Sequence, residues 1–385
     1  VCAVDPARLE RAFAVLARGV EQGAFAGAVA AVGGPDQLVV RAFGHAALRP
    51  EKIPMRTDTL FDLASLTKVV AALPAVLRLV EEGAFSLDAP VHAILPEFPD
   101  ERVTVRHLLT HTGGLPAWRP LYLDCRGWDE YLRAIGQVPL ESAPGTRVVY
   151  SDLGFILLGG IVVRVTGQPL ADFCKSAVFD PLGMAETCWT PRVDRSRIAA
   201  TEEGNRTEYG MAGSRAAEFG RWRRGIFWGE ANDGNAFYGL DGVSSHAGLF
   251  STAADLAAYA RAWLRGGAPI LSRAAVALAT RNLTPGQAEA RGLGWQKPPA
   301  DPLPARSHSC GELLSPASFG HTGFTGTSLW IDPERQLFVI LLTNRLHPVP
   351  RRAGPDLFAL RPAFHNAVAA AWDCADEGGE APETP

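Results

Sequence analysis

The sequence predicts an α+β fold: an antiparallel sheet built from both ends of the chain and flanked by helices, with a mainly helical region inserted between the two sheet-forming segments. Three observations carry this expectation. Apolar runs of strand length gather before residue 60 and again after residue 320. Helical patterns fill the middle. The 385 residues, 47% hydrophobic and 20% charged, can build a large core. The sheet region is assigned to residues 1–60 and 243–385, and the helical region to 61–242.

The elements follow in order. Asp5 caps a first helix, Pro6 sits in its first turn, and Leu9, Phe13, Leu16 and Val20 form its apolar stripe. Phe25–Val32 and Gln37–Gly44 flank Gly33-Gly34-Pro35-Asp36 and read as an antiparallel hairpin. Val69–Val80 reads as a buried helix ending near Gly83. Asp88–Leu95 and Val103–Thr110 give short helical pieces, Pro144-Gly145 a turn, and Asp152–Val165 another apolar helix. Residues 200–242 read as a long irregular segment lining or covering a site. Helices resume at Ala253–Leu264 and Ser272–Thr280. The strands Gly326–Ile331 and Gln336–Thr343 then flank Asp332-Pro333-Glu334-Arg335, and a last amphipathic helix covers 356–372. The stretch after Asp373, rich in Glu, Pro and Gly, has the composition of a disordered tail.

Composition excludes several classes of function. A formal net charge of −4 leaves no basic footprint for nucleic acid, and Arg221-Trp222-Arg223-Arg224 reads as a solvated loop. No apolar run reaches the length of a membrane span. The six cysteines (Cys2, Cys125, Cys174, Cys188, Cys310, Cys374) form no C-x-x-C pair and read as free thiols. His107 and His111 lie four apart without the acidic partner of a zinc motif, so both read as structural, as does His246. No cofactor fingerprint and no metal site is found. No leader is visible at the start, where the first residue is Val1.

Three stretches carry candidate chemistry. In Ser65-Leu66-Thr67-Lys68 a serine and a lysine fall one helical turn apart, at the positive end of a helix dipole. Serine needs a base beside it, and a lysine can serve if burial or neighbouring positive charge lowers its pKa. In Pro144-Gly145-Thr146-Arg147-Val148-Val149-Tyr150-Ser151-Asp152 a tyrosine follows a turn and precedes an apolar helix, where its hydroxyl could relay protons. Tyr122-Leu123-Asp124 repeats the short Tyr-x-Asp pattern, which alone does not choose between them. In Gly320-His321-Thr322-Gly323-Phe324-Thr325-Gly326-Thr327 the glycines allow close approach of backbone to a ligand, and a peptide N–H there could hold an oxyanion together with that of Ser65. Each stretch taken singly is also compatible with an ordinary structural role. No G-x-S-x-G elbow surrounds any serine, which argues against an α/β-hydrolase triad.

Taken in order, S-x-x-K, Tyr-x-Asp and His-Thr-Gly resemble the three-motif pattern of the serine β-lactamases and penicillin-binding proteins over nearly the whole chain. The chain is most similar to the class C-like branch, which includes D-alanyl-D-alanine carboxypeptidases and β-lactamase-like esterases. His107–Leu115, Ser245–Thr252 and Leu342–Arg345 resemble recurrent blocks of that branch. The resemblance implies Ser65 as nucleophile, Lys68 as its base or proton relay, and Tyr150 as the second acid–base group. It implies the N–H groups of Ser65 and Phe324 as an oxyanion hole, with Asp152, His321, Thr322, Gly323 and Asn344 at the substrate. Asp152 stands where the branch usually has Asn, and His321 where many members have Lys; both departures bear on the substrate. No cofactor is implied. The implied partner is a small-molecule or peptide acyl donor, and the implied location the cell envelope.

The functions that follow are a carboxypeptidase on D-Ala-containing cell-wall peptides, an esterase or weak β-lactamase on the same machinery, or a penicillin-binding sensor that does not turn over. Hairpin arithmetic adds one expectation. With Asp332–Arg335 as the turn, Gly323 faces Asn344 and Thr322 faces Arg345, so that Arg345 and Thr322 together would grip a substrate carboxylate.

Overall fold

The computed structural model describes residues 4–299, 309–348 and 355–373. Its main sheet has six antiparallel strands: β1 (Gly27–Gly33), β2 (Leu38–Ala47), β3 (Ile53–Pro54), β7 (Phe319–Thr322), β8 (Ser328–Asp332) and β9 (Leu337–Thr343), in the order β3-β2-β1-β9-β8-β7. β1, from the first segment, pairs with β9, from the last, in the register Ala28↔Thr343. The expected sheet from both ends of the chain is therefore present.

Side-chain alternation explains why the central strands read as continuous apolar runs. Ala28, Ala30 and Val32 of β1, with Leu337, Val339 and Leu341 of β9, face one core. The helices Pro6–Glu21 and Leu357–Asp373 complete that core through Leu9, Phe13, Phe364 and Val368. Val29, Ala31, Phe338, Ile340 and Leu342 face the opposite core, shared with the helices Asp152–Thr166 and Ala253–Leu264. Asp5 caps the first helix through the N–H groups of Ala7 and Arg8, as its sequence position predicts.

A second, three-stranded sheet was not visible in the sequence. Its strands β4 (Phe61–Asp62), β5 (Cys188–Trp189) and β6 (Leu249–Ser251) lie in the order β4-β6-β5 and are too short to show periodicity. This sheet anchors the chain just ahead of Ser65: Phe61 pairs with Ser251, and the Leu63 N–H donates to Leu249 O.

The apolar helix after Ser65 begins with a π turn, Lys68–Ala72, and continues as the α-helix Leu73–Glu81. Pro74 accounts for the wide turn, because it has no N–H and its ring would meet the Val70 carbonyl in a regular α-helix. The turn frees the Val69 carbonyl, which accepts from the hydroxyl of the fully buried Tyr259. Tyr259→Phe leaves that carbonyl unpaired and is expected to cost about 1–3 kcal/mol, read as a lower urea midpoint at unchanged slope. An unchanged midpoint would show that the carbonyl finds another partner.

Two readings are revised. The basic stretch 221–224 is not simply a solvated loop: the Arg223 guanidinium lies 3.7 Å from the Phe227 ring centroid and 3.8 Å from that of Phe237, and it donates to Ala231 O and Asn232 O. Residues 200–242 are largely irregular but include short helical turns at Arg206–Met211, Gly213–Glu218 and Asn235–Gly239. Among the described cysteines, Cys125, Cys174, Cys188 and Cys310 are free thiols. The tail after Asp373, Cys2 and Cys374 lie outside the described residues. No single described helix is long and apolar enough to cross a membrane.

Candidate active site

Ser65 follows a constrained turn. The buried Asp62 carboxylate accepts the Ala64 N–H at 2.8 Å and the Asn232 N–H at 2.7 Å; burial pushes its pKa up to about 6. Ala64 has φ 45°, a left-handed conformation rarely taken by a residue with a Cβ. Thr67 locks the far side, its hydroxyl donating to Ala64 O at 2.6 Å and accepting the Leu249 N–H at 3.1 Å. The backbone delivering Ser65 is thus fixed by side chains that sequence reasoning passed over.

Lys68 has a fully buried side chain with three acceptors: Ser65 Oγ at 3.2 Å, Asp152 Oδ1 at 2.6 Å and the His246 carbonyl at 2.9 Å. Three donors meet three acceptors, the pattern of a satisfied ammonium. Burial works to lower its pKa, but attraction to Asp152 and then Tyr150 outweighs burial, so Lys68 sits above its ordinary value. The sequence expectation, that Lys68 becomes a base through a lowered pKa, is therefore not met in the resting site. The reason is the Asp152 carboxylate in place of an amide.

The Tyr150 ring packs against His111 with centroids 4.6 Å apart and the planes tilted by 37°, and approaches His321 at 5.7 Å, with Lys68 Nζ and the Arg291 guanidinium 5.0 and 5.4 Å from its centroid. Its buried hydroxyl lies against Lys68 and Ser65 without a hydrogen bond of full geometry to either. Burial raises its pKa, and Lys68 partly offsets the rise. The competing Tyr122 lies elsewhere, fully buried among Phe219, Trp222 and Tyr238.

The histidines on either side of Tyr150 are held neutral. His321 Nδ1 donates to Thr322 O at 2.8 Å; burial, reinforced by Arg291 and Lys68, pushes its pKa well below the usual value. His111 accepts the Ser151 N–H at Nδ1 and is displaced downward by the same causes. His246 is held by Ser244 Oγ and Asp233 Oδ1 at 2.7 and 2.9 Å, which fixes the carbonyl that receives Lys68. Ligand atoms of Asp152, Asp233 and His246 lie within 4.8 Å of one another. Hydrogen bonds already engage this group: Lys68 meets Asp152, and Asp233 joins His246 and the Ala236 N–H. The cluster therefore acts as countercharge to the lysine.

The third motif turns back on itself. The Gly323 N–H donates to Thr327 O at 2.8 Å and the Gly326 N–H to Gly323 O at 3.0 Å, which reverses the chain between β7 and β8. The hydroxyls of Thr325 and Thr327 reach Asp62 O and Leu63 O, riveting this loop to the segment that carries Ser65. Gly323 is required here, because a Cβ would lie 2.3 Å from Leu63 O. The N–H groups of Ser65 and Phe324 donate to no acceptor among the described residues.

Ser65, Tyr150, Asp152, His321, Thr322, Gly323, Phe324 and Arg345 all border one cavity of ≈ 510 Å³, with Lys68 behind it. Asn344 does not. Its Oδ1 accepts the Gly27 N–H and its Nδ2 donates to His45 O and Ala46 O, so it ties β9 to the first hairpin and is unavailable to substrate. The hairpin arithmetic also fails. β8 pairs with β9 as Asp332↔Leu337, two residues off the expected sum, and Thr322 pairs with Ser328 instead of facing Arg345. Arg345 still reaches the motif by another route: its N–H donates to Thr325 O and its guanidinium to Phe324 O. It clamps the loop more directly than it offers itself to a ligand. Arg291, Asp233 and Arg361 also border the cavity and were missed, having no motif around them.

A family model described as Beta-lactamase matches residues 12–361. The chain belongs to this beta-lactamase family. A relative from Escherichia coli K12 named "Putative D-alanyl-D-alanine carboxypeptidase" is 33% identical over 345 residues, covering 81% of this chain and 76% of that protein. A beta-lactamase structure from Mycobacterium bovis is 28% identical with a TM-score of 0.59, covering 92% of this chain and 99% of that one. EstCE1, a hydrolase with promiscuous acyltransferase activity, shares the fold at a TM-score of 0.71 and 21% identity, with 96% and 99% of the chains covered. The protein is a serine hydrolase of the beta-lactamase family with the expected α+β fold.

The Lys68–Asp152 pair gives a stability prediction. Asp152→Asn removes the largest attraction holding Lys68 above its ordinary pKa and leaves burial to pull it below. The ammonium then carries an uncompensated cost, on the order of 3–5 kcal/mol for a broken buried pair. This deficit is full below the lysine's lowered folded pKa and shrinks as pH rises toward ~10.5, where the unfolded lysine also loses its proton. Melting wild type and variant from pH 6 to 10 checks the sign; a gap that widens with pH contradicts it.

Proposed function

We propose that this beta-lactamase family member forms an acyl-enzyme at Ser65 and acts as a D-Ala-D-Ala carboxypeptidase-like hydrolase on cell-wall peptides. The single observation that carries the chemistry is the Ser65 Oγ–Lys68 Nζ contact at 3.2 Å inside a buried, fully satisfied ammonium site. The name carried by its relatives supports the peptide substrate.

Protons balance through Asp152. As Ser65 Oγ attacks the acyl carbon, its proton passes to Lys68 Nζ while Lys68 hands one to Asp152. The N–H groups of Ser65 and Phe324 receive the developing oxyanion. Tyr150 gives its proton to the leaving amine or alkoxide, and the nearby lysine ammonium stabilises the phenolate. In deacylation the phenolate takes a proton from the attacking water, and Asp152 returns its proton through Lys68 to the departing Ser65 oxygen. Asp152 thereby makes Lys68 a relay rather than a free base.

The neutral third-motif histidine favours a second reading, an esterase, because it brings no permanent charge to a substrate carboxylate. Intact-mass spectrometry during incubation with a D-Ala-D-Ala peptide, a p-nitrophenyl ester and a penicillin separates the two. Release of D-Ala supports the carboxypeptidase. Turnover of the ester alone supports the esterase, and a lasting penicillin adduct without turnover of either overturns both.

A further inference from the structure

A second pocket, of ≈ 450 Å³, lies within the 200–242 segment, away from Ser65. Its floor is bare backbone: the Gly204 N–H donates to Gly225 O at 2.8 Å, and Glu203 bridges to Ile226 beside them. A Cβ at Gly225, where φ is 80°, would meet nothing within 4 Å, so the space beside the floor is open. Trp222 forms one wall. Edge-on contacts with Phe219 and Tyr238, and an Nε1–H bond to Ala216 O at 2.7 Å, hold its indole in place. Tyr209 stands beside it at 5.4 Å with the rings inclined by 57°, and this large ring remains 50% exposed. The basic stretch 221–224 supplies charge. Arg224 is exposed and forms no ion pair among the described residues. Arg206, across the pocket, reaches only Glu203 at 3.9 Å, a carboxylate that Arg49 shares at 3.4 Å.

The inner polar group is Asn205, only 4% exposed. Its Oδ1 accepts the Tyr238 hydroxyl at 2.5 Å, and the Tyr238 oxygen accepts the Arg223 N–H at 2.7 Å. This chain fixes the orientation of the amide and leaves Nδ2 buried without an acceptor. A buried donor in that state is costly until an oxygen meets it.

We infer that this pocket is an accessory site for an acidic sugar, a pyranose ring bearing a carboxylate or a phosphate, separate from the catalytic cavity. The two inclined rings make a corner, which suits the CH face of a puckered ring; a flat base needs parallel faces. Arg206 and Arg224 present planar forks to the acid, and Asn205 Nδ2 donates to a hydroxyl or ring oxygen. The helix Arg206–Met211 stands between the two spaces: Arg206 and Tyr209 line this pocket, whereas Thr207, Glu208 and Met211 line the catalytic cavity. A polymer carrying both the sugar and the scissile acyl group is then tethered at high local concentration beside Ser65. That tethering, unlike the site itself, rests on the acyl-transfer reading above.

The test is a ligand-observed NMR titration of the whole chain with glucuronate, glucose 6-phosphate, glucose, inorganic phosphate and AMP. Wild type should bind a sugar acid about tenfold more tightly than glucose or inorganic phosphate, and the tighter of the two sugar acids identifies the acid group. Arg224→Gln and Tyr209→Ser should each weaken that binding by about tenfold. Both side chains are exposed, so the variants should melt as wild type does. Glucose bound as tightly as the sugar acids overturns the inference, as does inorganic phosphate bound as tightly as glucose 6-phosphate. AMP bound more tightly than either sugar acid overturns it too. So does sugar-acid binding that survives both substitutions, which places it at the arginines of the catalytic cavity or elsewhere. Fluorophosphonate labelling of Ser65 should be equal in wild type and both variants, and it keeps the two questions apart. Absent labelling in wild type rejects the acyl-enzyme alone; intact labelling without sugar-acid binding rejects the pocket alone.

Discussion

Ser65→Ala is expected to abolish covalent labelling by a fluorophosphonate or a penicillin and to lower turnover by on the order of 10⁶, the scale on which serine hydrolases lose activity with their nucleophile. The fold should persist. Ser65 is only partly buried, and the turn that presents it is held by Asp62, Ala64 and Thr67, not by its own hydroxyl. Circular dichroism of the variant should therefore match wild type, while its melting temperature should fall by a few degrees, because the buried Lys68 ammonium loses one of its three acceptors. A labelled alanine variant, or ester hydrolysis that survives at the wild-type rate, would remove Ser65 from the role.

Tyr150→Phe and Lys68→Ala should each lower turnover by roughly 10²–10⁴, the range for general acid–base groups. The two differ in side effects. Tyr150 loses a hydroxyl that lies against Lys68 and Ser65 without a hydrogen bond of full geometry, so the phenylalanine variant should stay within about 1 kcal/mol of wild type. Lys68→Ala strips the countercharge from Asp152 and opens a hole against Phe155, so it should also destabilise. Tyr122→Phe is the control: its hydroxyl lies near Glu208 without a hydrogen bond of full geometry, and the residue sits in the aromatic cluster of Phe219, Trp222 and Tyr238, so both rate and stability should hold. A large loss in Tyr122→Phe with none in Tyr150→Phe would exchange the two assignments.

Much of the architecture was legible because the signals were periodic. The helix Ala253–Leu264 is found at its predicted bounds, capped by Thr252, and the first hairpin closes where the Gly-Gly-Pro-Asp turn said it would. Legibility fell where structure depends on contacts between distant segments. The pairing of β8 with β9 slipped because the left-handed residue of the turn is Gln336, which lacks the usual glycine or asparagine signature. The reversal at 323–327 depends on Thr325 and Thr327 reaching back to residues 62 and 63, a contact with no local trace. Asn344 belongs to a recurrent block, yet its amide serves the sheet.

The electrostatics divide in the same way. A neutral His321 is what ordinary histidine chemistry gives at pH 7, and burial reinforces it. The raised pKa of Lys68 has no such local origin, since it needs the distance to Asp152, 84 positions away in the chain. Arg361 gave no signal at all: one arginine in an apolar helix looks like a solvated charge until its neighbours are known.

The pairing of β1 with β9 also governs how the chain can reach its native state. Ala28 waits for Thr343, and Asp62 waits for Thr325, so the contacts that close the sheet and the cavity span most of the chain. Such high contact order slows the final step of folding. During synthesis the first hairpin emerges early and holds an unpaired β1 edge, a template for mispairing, until the last quarter of the chain arrives. A nascent chain is thus catalytically silent: Ser65 and Lys68 are made early, but the loop that would receive the oxyanion docks only when β7 to β9 complete the sheet.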